Sequence, residues 1–233
     1  MWASELVEPI LEALILLIGF GYGVGHFVPS MGGQSYVEFF APAALAQMAM
    51  YTATFESTFS LYERMQHQRT FEAIITSPVS LDEVVSGEIV WSASKSVITG
   101  TITLAMFSTL GLIPSPMAAL TPLALLCQGL AFASMATAVT AIVPHMSATR
   151  FYISGLIAPM FLLSDAFFPL DTLPMWLQHL GHALPLFHAV HLARSLARGQ
   201  LTLDLLCNAA YLLALAAVAS VIAINLIRRR LIK

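Results

Sequence analysis

Six apolar runs, each near the length that crosses a bilayer, leave this chain few folds to choose from. They lie at roughly 7–27, 37–60, 88–113, 117–143, 151–168 and 203–227, and a spanning helix needs about 20 such residues. Inside hydrocarbon the backbone must satisfy its own hydrogen bonds, so each run is expected as a helix. Composition agrees, since 58% of the 233 residues are hydrophobic and 10% are charged, with a mean hydropathy of +0.81, whereas about a quarter of the residues of soluble domains are charged. The expected fold class is an all-α polytopic membrane protein with one transmembrane domain over residues 1–233. The start, MWASELVEPILE, is acidic where a cleavable secretory signal would be basic, so none is expected. Cys127 and Cys207 both fall inside apolar runs and read as small buried hydrophobes, not as a disulfide or metal pair.

Six spans put both termini on one side, and basic residues say which. The tail Arg228-Arg229-Arg230-Leu231-Ile232-Lys233 marks the cytoplasmic face, and Arg64, Arg69 and Arg150 fall on the same side. Of the ten Lys and Arg residues, seven are then inside, Arg194 and Arg198 are outside, and Lys95 lies near the inner start of the third span. The N-terminus is accordingly expected in the cytoplasm with the tail.

Between spans two and three, Leu61 to Glu88 holds seven of the 23 Asp, Glu, Lys and Arg residues, so it must lie in water beside the membrane. Within it, Arg69-Thr70-Phe71-Glu72-Ala73-Ile74-Ile75 reads as a short amphipathic helix with Phe71, Ile74 and Ile75 on one stripe. Ser77-Pro78 stops that helix. A second helix starts at Ser80, with Glu83 completing a capping box. An ordinary solvated loop is the bland alternative; the built-in stripe favours a docking surface.

Three features inside the apolar runs bear on chemistry. The glycines of Gly19-Phe20-Gly21-Tyr22-Gly23-Val24-Gly25 lack the Lys-Ser/Thr of a phosphate loop and lie in hydrocarbon, so Gly19/Gly23 and Gly21/Gly25 read as helix-packing pairs. Glu56 is one of the few acids within a span. Intramembrane carboxylates suggest function, but Glu56 lies about one turn from the cytoplasmic end, where it can snorkel or pair with Arg64. Lys95, about two turns into span three, is expected to reach the inner interface with its long stem.

Span five gives way to Ser164-Asp165-Ala166-Phe167-Phe168-Pro169, and residues 169–199 are neither loop nor span. Two apolar-periodic segments, beginning near Pro174 and Pro185, fit a pair of short helices that dip into the outer leaflet and return, with Trp176 at the interface. His179, His182, His188 and His191 form i, i+3 pairs. With no cysteine nearby and no HExxH motif, no metal site is expected there.

Six spans, a cytoplasmic helix between spans two and three and a hairpin before span six resemble the ABC-2 type permeases, the membrane subunits of ATP-driven exporters. The resemblance rests on Ser164-Asp165-Ala166-Phe167-Phe168-Pro169-Leu170-Asp171-Thr172-Leu173-Pro174 with Trp176-Leu177, then on Leu184-Pro185-Leu186-Phe187-His188-Ala189-Val190 and Arg194. Ala53-Thr54-Phe55-Glu56, Gln68-Arg69-Thr70-Phe71-Glu72-Ala73 and Gly87-Glu88-Ile89-Val90-Trp91 look most like the nodulation-factor exporter permeases, which export lipo-oligosaccharides. The likeness runs from about Glu8 to Arg228. Two departures stand out. Asp165 occupies a position where the family usually has glycine, and the chain starts almost at span one, without a longer segment carrying an interfacial helix, as a shortened or divergent member would.

The resemblance implies a homodimer working with two copies of an ATP-binding cassette subunit, which would hold ATP and Mg. This chain has no Walker sequence, would bind no cofactor or metal and would not be an enzyme itself. Arg69, Thr70, Phe71, Glu72, Ile75 and Pro78 would couple it to the ATPase, while Glu56, Asp165, Phe167, Phe168 and Trp176 would line the substrate path. Expected partners are the ATPase, a second copy and membrane lipid, with no nucleic acid, in a bacterial inner membrane. Cargo would be an amphiphilic lipo-oligosaccharide or, alternatively, a small hydrophobic drug. The rival classes are an ion-coupled secondary transporter leaning on Glu56 and Asp165, and a membrane enzyme using the histidine-rich hairpin.

Overall fold

The fold is described from a computed structural model for residues 10–28, 30, 31, 33–66 and 78–231. It opens on α1 (Ile10–Phe27), widened into a π turn at Leu17–Tyr22. An antiparallel pair, β1 (Ser30–Met31) with β2 (Gln34–Ser35), reverses the chain. α2 (Tyr36–Phe55) begins on a capping box in which Ser35 Oγ accepts from the Glu38 N–H and the Glu38 carboxylate accepts from the Ser35 N–H at 3.0 Å. A π turn, Glu56–Ser60, carries α2 into α3 (Leu61–Gln66). α4 (Leu81–Thr109) starts on the expected Ser80/Glu83 box, and a 3₁₀ turn at Pro116–Leu120 leads into α5 (Thr121–Ile142). Then come α6 (Thr149–Tyr152), a π turn at Ile153–Ile157 and α7 (Ala158–Leu162). α8 (Met175–His182), α9 (Pro185–Ala197) and α10 (Leu203–Leu231) complete the described chain.

Three of the described helices, Ile10–Phe27, Pro116–Ile142 and Leu203–Arg230, are long and apolar enough to cross a membrane by length and composition. The runs at 37–60 and 88–113 are helical to residues 60 and 109. Span five departs from expectation, because its helical stretch ends at Leu162. From Thr149 that covers roughly 21 Å at 1.5 Å per residue, short of the ~30 Å hydrocarbon core. Beyond the break Asp165 takes a φ of 60°, a left-handed conformation that no helix interior accepts, so the helix does not resume through the turn.

α2 is the centre, with sixteen of its 20 residues buried, as a helix apolar on every side must be. It packs against α4, α5 and α9, while α5 also carries α10. At Gly129 an added Cβ would sit 2.4 Å from Ser96 Oγ and 3.0 Å from Ala93 Cα, so only glycine lets α5 close on α4. In α1, Gly21 and Gly25 lie against Val37 and Tyr36, each 3.6 Å from an added Cβ. Gly19 and Gly23 face no other helix, so one of the two expected glycine pairs packs and the other does not. The cysteine expectation needs a similar correction: Cys127 is half-buried, but Cys207 is exposed on the outer flank of α10.

Side chains tie each end of the bundle. At one end Tyr62 donates to the Pro144 carbonyl at 3.1 Å, Arg64 pairs with Glu88 at 2.6 Å and Arg228 with Asp82 at 2.6 Å. Arg230 Nη1 donates to the carbonyls of Thr140, Ala141 and Val143 at 2.8, 3.2 and 3.0 Å, a cation closing the C-terminus of α5. At the other end Gln34, Glu38, Ser115, Arg194 and Arg198 line a cavity of about 480 Å³. α2, α4, α5 and α10 therefore each run between the same two ends.

Candidate functional site

Two buried charge clusters sit at different depths. The first is built where α2 passes into its π turn. A π turn adds a residue to the helical turn and re-aims the side chains after it, and such turns concentrate at functional sites. Here it begins at Glu56, which is 6% exposed. Glu56 Oε1 accepts from Arg64 Nη1 and Trp91 Nε1, both at 3.2 Å, and Oε2 accepts from Lys95 Nζ at 2.9 Å and Ser60 Oγ at 3.2 Å. Arg64 bridges onward to Glu88. Lys95 thus reaches from α4 to Glu56 in the π turn that follows α2. The Arg64 partner was legible from spacing; Lys95 was not, since the pairing joins different helices. Beside the cluster lies a cavity of about 450 Å³ between α1, α2 and α4, bounded by Glu12, Tyr51, Phe55, Phe59 and Lys95.

The second cluster closes the break after α7. Asp165 Oδ1 accepts from the Leu170 N–H at 2.8 Å and Oδ2 pairs with Arg194 Nη1, while Arg194 Nη2 donates to the Asp165 carbonyl at 2.7 Å and to the Phe39 carbonyl at 3.5 Å. The Arg194 guanidinium also lies 3.9 Å over the Phe39 ring. His191 Nε2 is 3.3 Å from Asp165 Oδ2. The departure from glycine at this position thus keeps the glycine-like φ and adds a buried ion pair that fastens the turn to α9. Gly181 completes the packing, since an added Cβ would fall 2.7 Å from the Leu163 carbonyl oxygen and from the Leu170 side chain.

The other expected site residues fall in several places. Arg69, Thr70, Phe71, Glu72 and Ile75 lie outside the described residues, and Pro78 is exposed just ahead of α4. Phe167 is packed in an aromatic cluster, its ring centroid 5.1 Å from Phe20, 5.4 Å from Phe40 and 4.6 Å from Phe161. Phe168 is half-buried, and Trp176 is 67% exposed on α8. Among the hairpin histidines, His188 Nδ1 is 2.6 Å from Asn208 Oδ1 and its ring stacks on Tyr211, while His182 Nδ1 is 2.6 Å from the Gln178 carbonyl. Sequence reasoning passed over Tyr51, Phe55 and Phe59, although their i, i+4, i+8 spacing was a readable signal.

Comparison with known proteins gives the family. The description "ABC-2 type transporter" matches residues 2–197. "Nodulation protein J" of Sinorhizobium fredii (strain NBRC 101917 / NGR234) is 38% identical over 199 residues, 83% of this chain and 75% of that protein. "Nodulation protein J" of Rhizobium meliloti (strain 1021) is 36% identical over 235 residues, 98% of this chain and 87% of that protein. "Inner membrane transport permease YadH" of Escherichia coli (strain K12) is 24% identical over 106 residues, 46% of this chain and 41% of that protein. No solved structure matches. With the family description spanning most of its length and such relatives nearly all of it, this chain belongs to the ABC-2 type transporter family, as a multi-pass permease of the inner membrane.

Proposed function

We propose that this permease moves an amphiphilic lipo-oligosaccharide outward, driven by a separate ATPase. The observation that carries the cargo is the similarity to proteins named for nodulation along nearly the whole chain. The permease acts as a homodimer with two ATP-binding cassette subunits, which hold ATP and Mg. Six spans cross the membrane, the fifth as a short helix extended by the turn that follows Leu162, both termini face the cytoplasm, and residues 169–199 dip into the outer leaflet and return. Support for that crossing pattern comes from the way the helices run between two common ends. Arg69, Thr70, Phe71, Glu72, Ile75 and Pro78 receive the push of the ATPase, and Glu56, Asp165, Phe167, Phe168 and Trp176 border the path, with lipid around them.

Few charges lie in the spans, and the two described clusters neutralise most of them internally, so a soluble ionic solute finds little to hold it at mid-membrane. An acyl tail that stays in lipid while its head crosses suits such a surface. The test is ATPase stimulation of the complex reconstituted with its ATP-binding subunit. Lipo-oligosaccharides stimulate strongly, free oligosaccharides weakly and small hydrophobic drugs not at all; stimulation by drugs alone replaces this cargo with a multidrug one.

A further inference from the structure

We propose that the cavity between α1, α2 and α4 is the loading subsite for an uncharged sugar ring of the cargo head, laid against the faces of Tyr51, Phe55 and Phe59. This rests on the lipo-oligosaccharide reading above and assigns its sugar a place. The three rings form a ladder along α2 and the π turn that follows it, with Tyr51 and Phe55 centroids 5.5 Å apart and planes 15° apart, and Phe55 and Phe59 centroids 5.6 Å apart and planes 27° apart. On a helix that buries nearly everything else, Phe55 is 39% exposed. A row of near-parallel rings offers a flat face to a flat partner, and the C–H face of a pyranose is one.

The walls select against other occupants. Seven of the ten residues lining the cavity carry a hydroxyl, carboxylate or ammonium group beside the ring faces, hydrogen-bonding groups that a sugar can use and an acyl chain cannot. A cationic ligand meets Lys95 at its polar end, and an anionic one meets Glu56 and Glu12. A neutral polyol is tolerated by both, because each hydroxyl donates to a carboxylate or accepts from an ammonium. The cavity, about 450 Å³, falls within the about 300–1,000 Å³ of small-molecule sites. Two of the outer-hairpin rings offer no such face: Phe167 is spent on its aromatic cluster, and Phe187 lies buried against His182 and His191, 4.6 and 4.2 Å between centroids.

The experiment uses the complex with its ATP-binding subunit in nanodiscs and three probes: a lipo-oligosaccharide, the same oligosaccharide without its tail, and the acyl tail alone. Phe55→Ala is expected to raise the half-stimulating concentration for both sugar-bearing probes about five- to tenfold, on the order of one aromatic contact, with the tail unchanged. Phe55→Trp retains the wild-type value within about twofold, and Phe59→Ala shifts the sugar probes in the same direction. An equal shift for the tail, or none for the sugars in a complex whose wild type responds to them, overturns the subsite and leaves the cargo reading standing. A wild-type complex indifferent to both sugar probes overturns the cargo reading and the subsite together.

Discussion

Glu56 and Asp165 are both buried carboxylates in a membrane protein, yet they are held in opposite ways. Asp165 has one dominant partner, Arg194, itself only 5% exposed, and the pair is locked by the Leu170 N–H, the Phe39 ring and a left-handed turn. Glu56 shares itself among Arg64, Lys95, Trp91 and Ser60, and both cations keep about a quarter of their side-chain surface exposed. The Asp165–Arg194 pair, with His191 3.3 Å from the carboxylate, fixes a shape, because removing Arg194 leaves a buried carboxylate without its cation. A shared carboxylate beside an open cavity can lose one partner and keep the rest, which is the arrangement that tolerates a ligand arriving and leaving.

The largest expected effect follows directly. Arg194→Met leaves Asp165 buried without its cation and costs about 3–5 kcal/mol, read as a large drop in the thermal unfolding midpoint of the purified protein or as failure to accumulate. Asp165→Asn combined with Arg194→Met removes both charges and recovers much of that loss. A single Arg194→Met variant as stable as the wild type would show that the Asp165–Arg194 pair does not fasten the turn to α9.

Glu56→Gln should separate the two clusters. Lys95 and Arg64 stay near water and Arg64 keeps Glu88, so the stability cost is expected at about 1–2 kcal/mol, while transport falls by a larger factor than the accumulation of folded protein. Equal loss of both would make the Glu56 cluster as structural as the Asp165 one.

A third measurement isolates the backbone at the Asp165 turn. Asp165→Gly and Asp165→Ala delete the same ion pair, but glycine accepts a φ of 60° without penalty. The glycine variant is therefore expected to be more stable than the alanine variant by about 1 kcal/mol. Identical unfolding midpoints would mean that the turn relaxes out of the left-handed region once the side chain is gone.

What the sequence made legible divides along the same line. Local signals read well: the Ser80/Glu83 box, the helices beginning at Pro174 and Pro185, and the Glu56–Arg64 pairing all depend on neighbours within a few turns. Ser35/Glu38 follows the same S-x-x-E pattern and was there to be read. Pairings between helices did not read, because nothing in a single sequence places Lys95 beside Glu56 or Arg194 beside Asp165. The oddity of each was nonetheless visible, as a cation inside a span and as an arginine on the side poor in positive charge. Glycine at 165 was the family expectation, and the positive φ explains it; the added ion pair needed the third dimension.

A third carboxylate, Glu83, serves as the control for both clusters, since it is held at the Arg64 end of the bundle by neutral donors alone. The Ser80 N–H donates to its carboxylate at 2.8 Å and so does the Ser80 hydroxyl, also at 2.8 Å, and these bonds hold the Glu83 carboxyl below its ordinary value. Because the folded value is depressed, the contribution is complete above the ordinary carboxylate range and is lost as pH falls through the folded value. The effect on stability is expected to be the smallest of the series, with Glu83 fully exposed to water. Ser80→Ala removes the cap from the first turn of α4 at a cost of about 1 kcal/mol, and it should also flatten the part of the acid-side stability profile that wild type owes to Glu83. Hydrogen exchange at the first amides of α4, followed from neutral to acid pH, reads both at once. Protection of those amides that falls on acidification by less in Ser80→Ala, which keeps only the backbone N–H bond to Glu83, than in wild type fits the cap as described, and an equal fall in both proteins would assign the acid sensitivity to another carboxylate at this end.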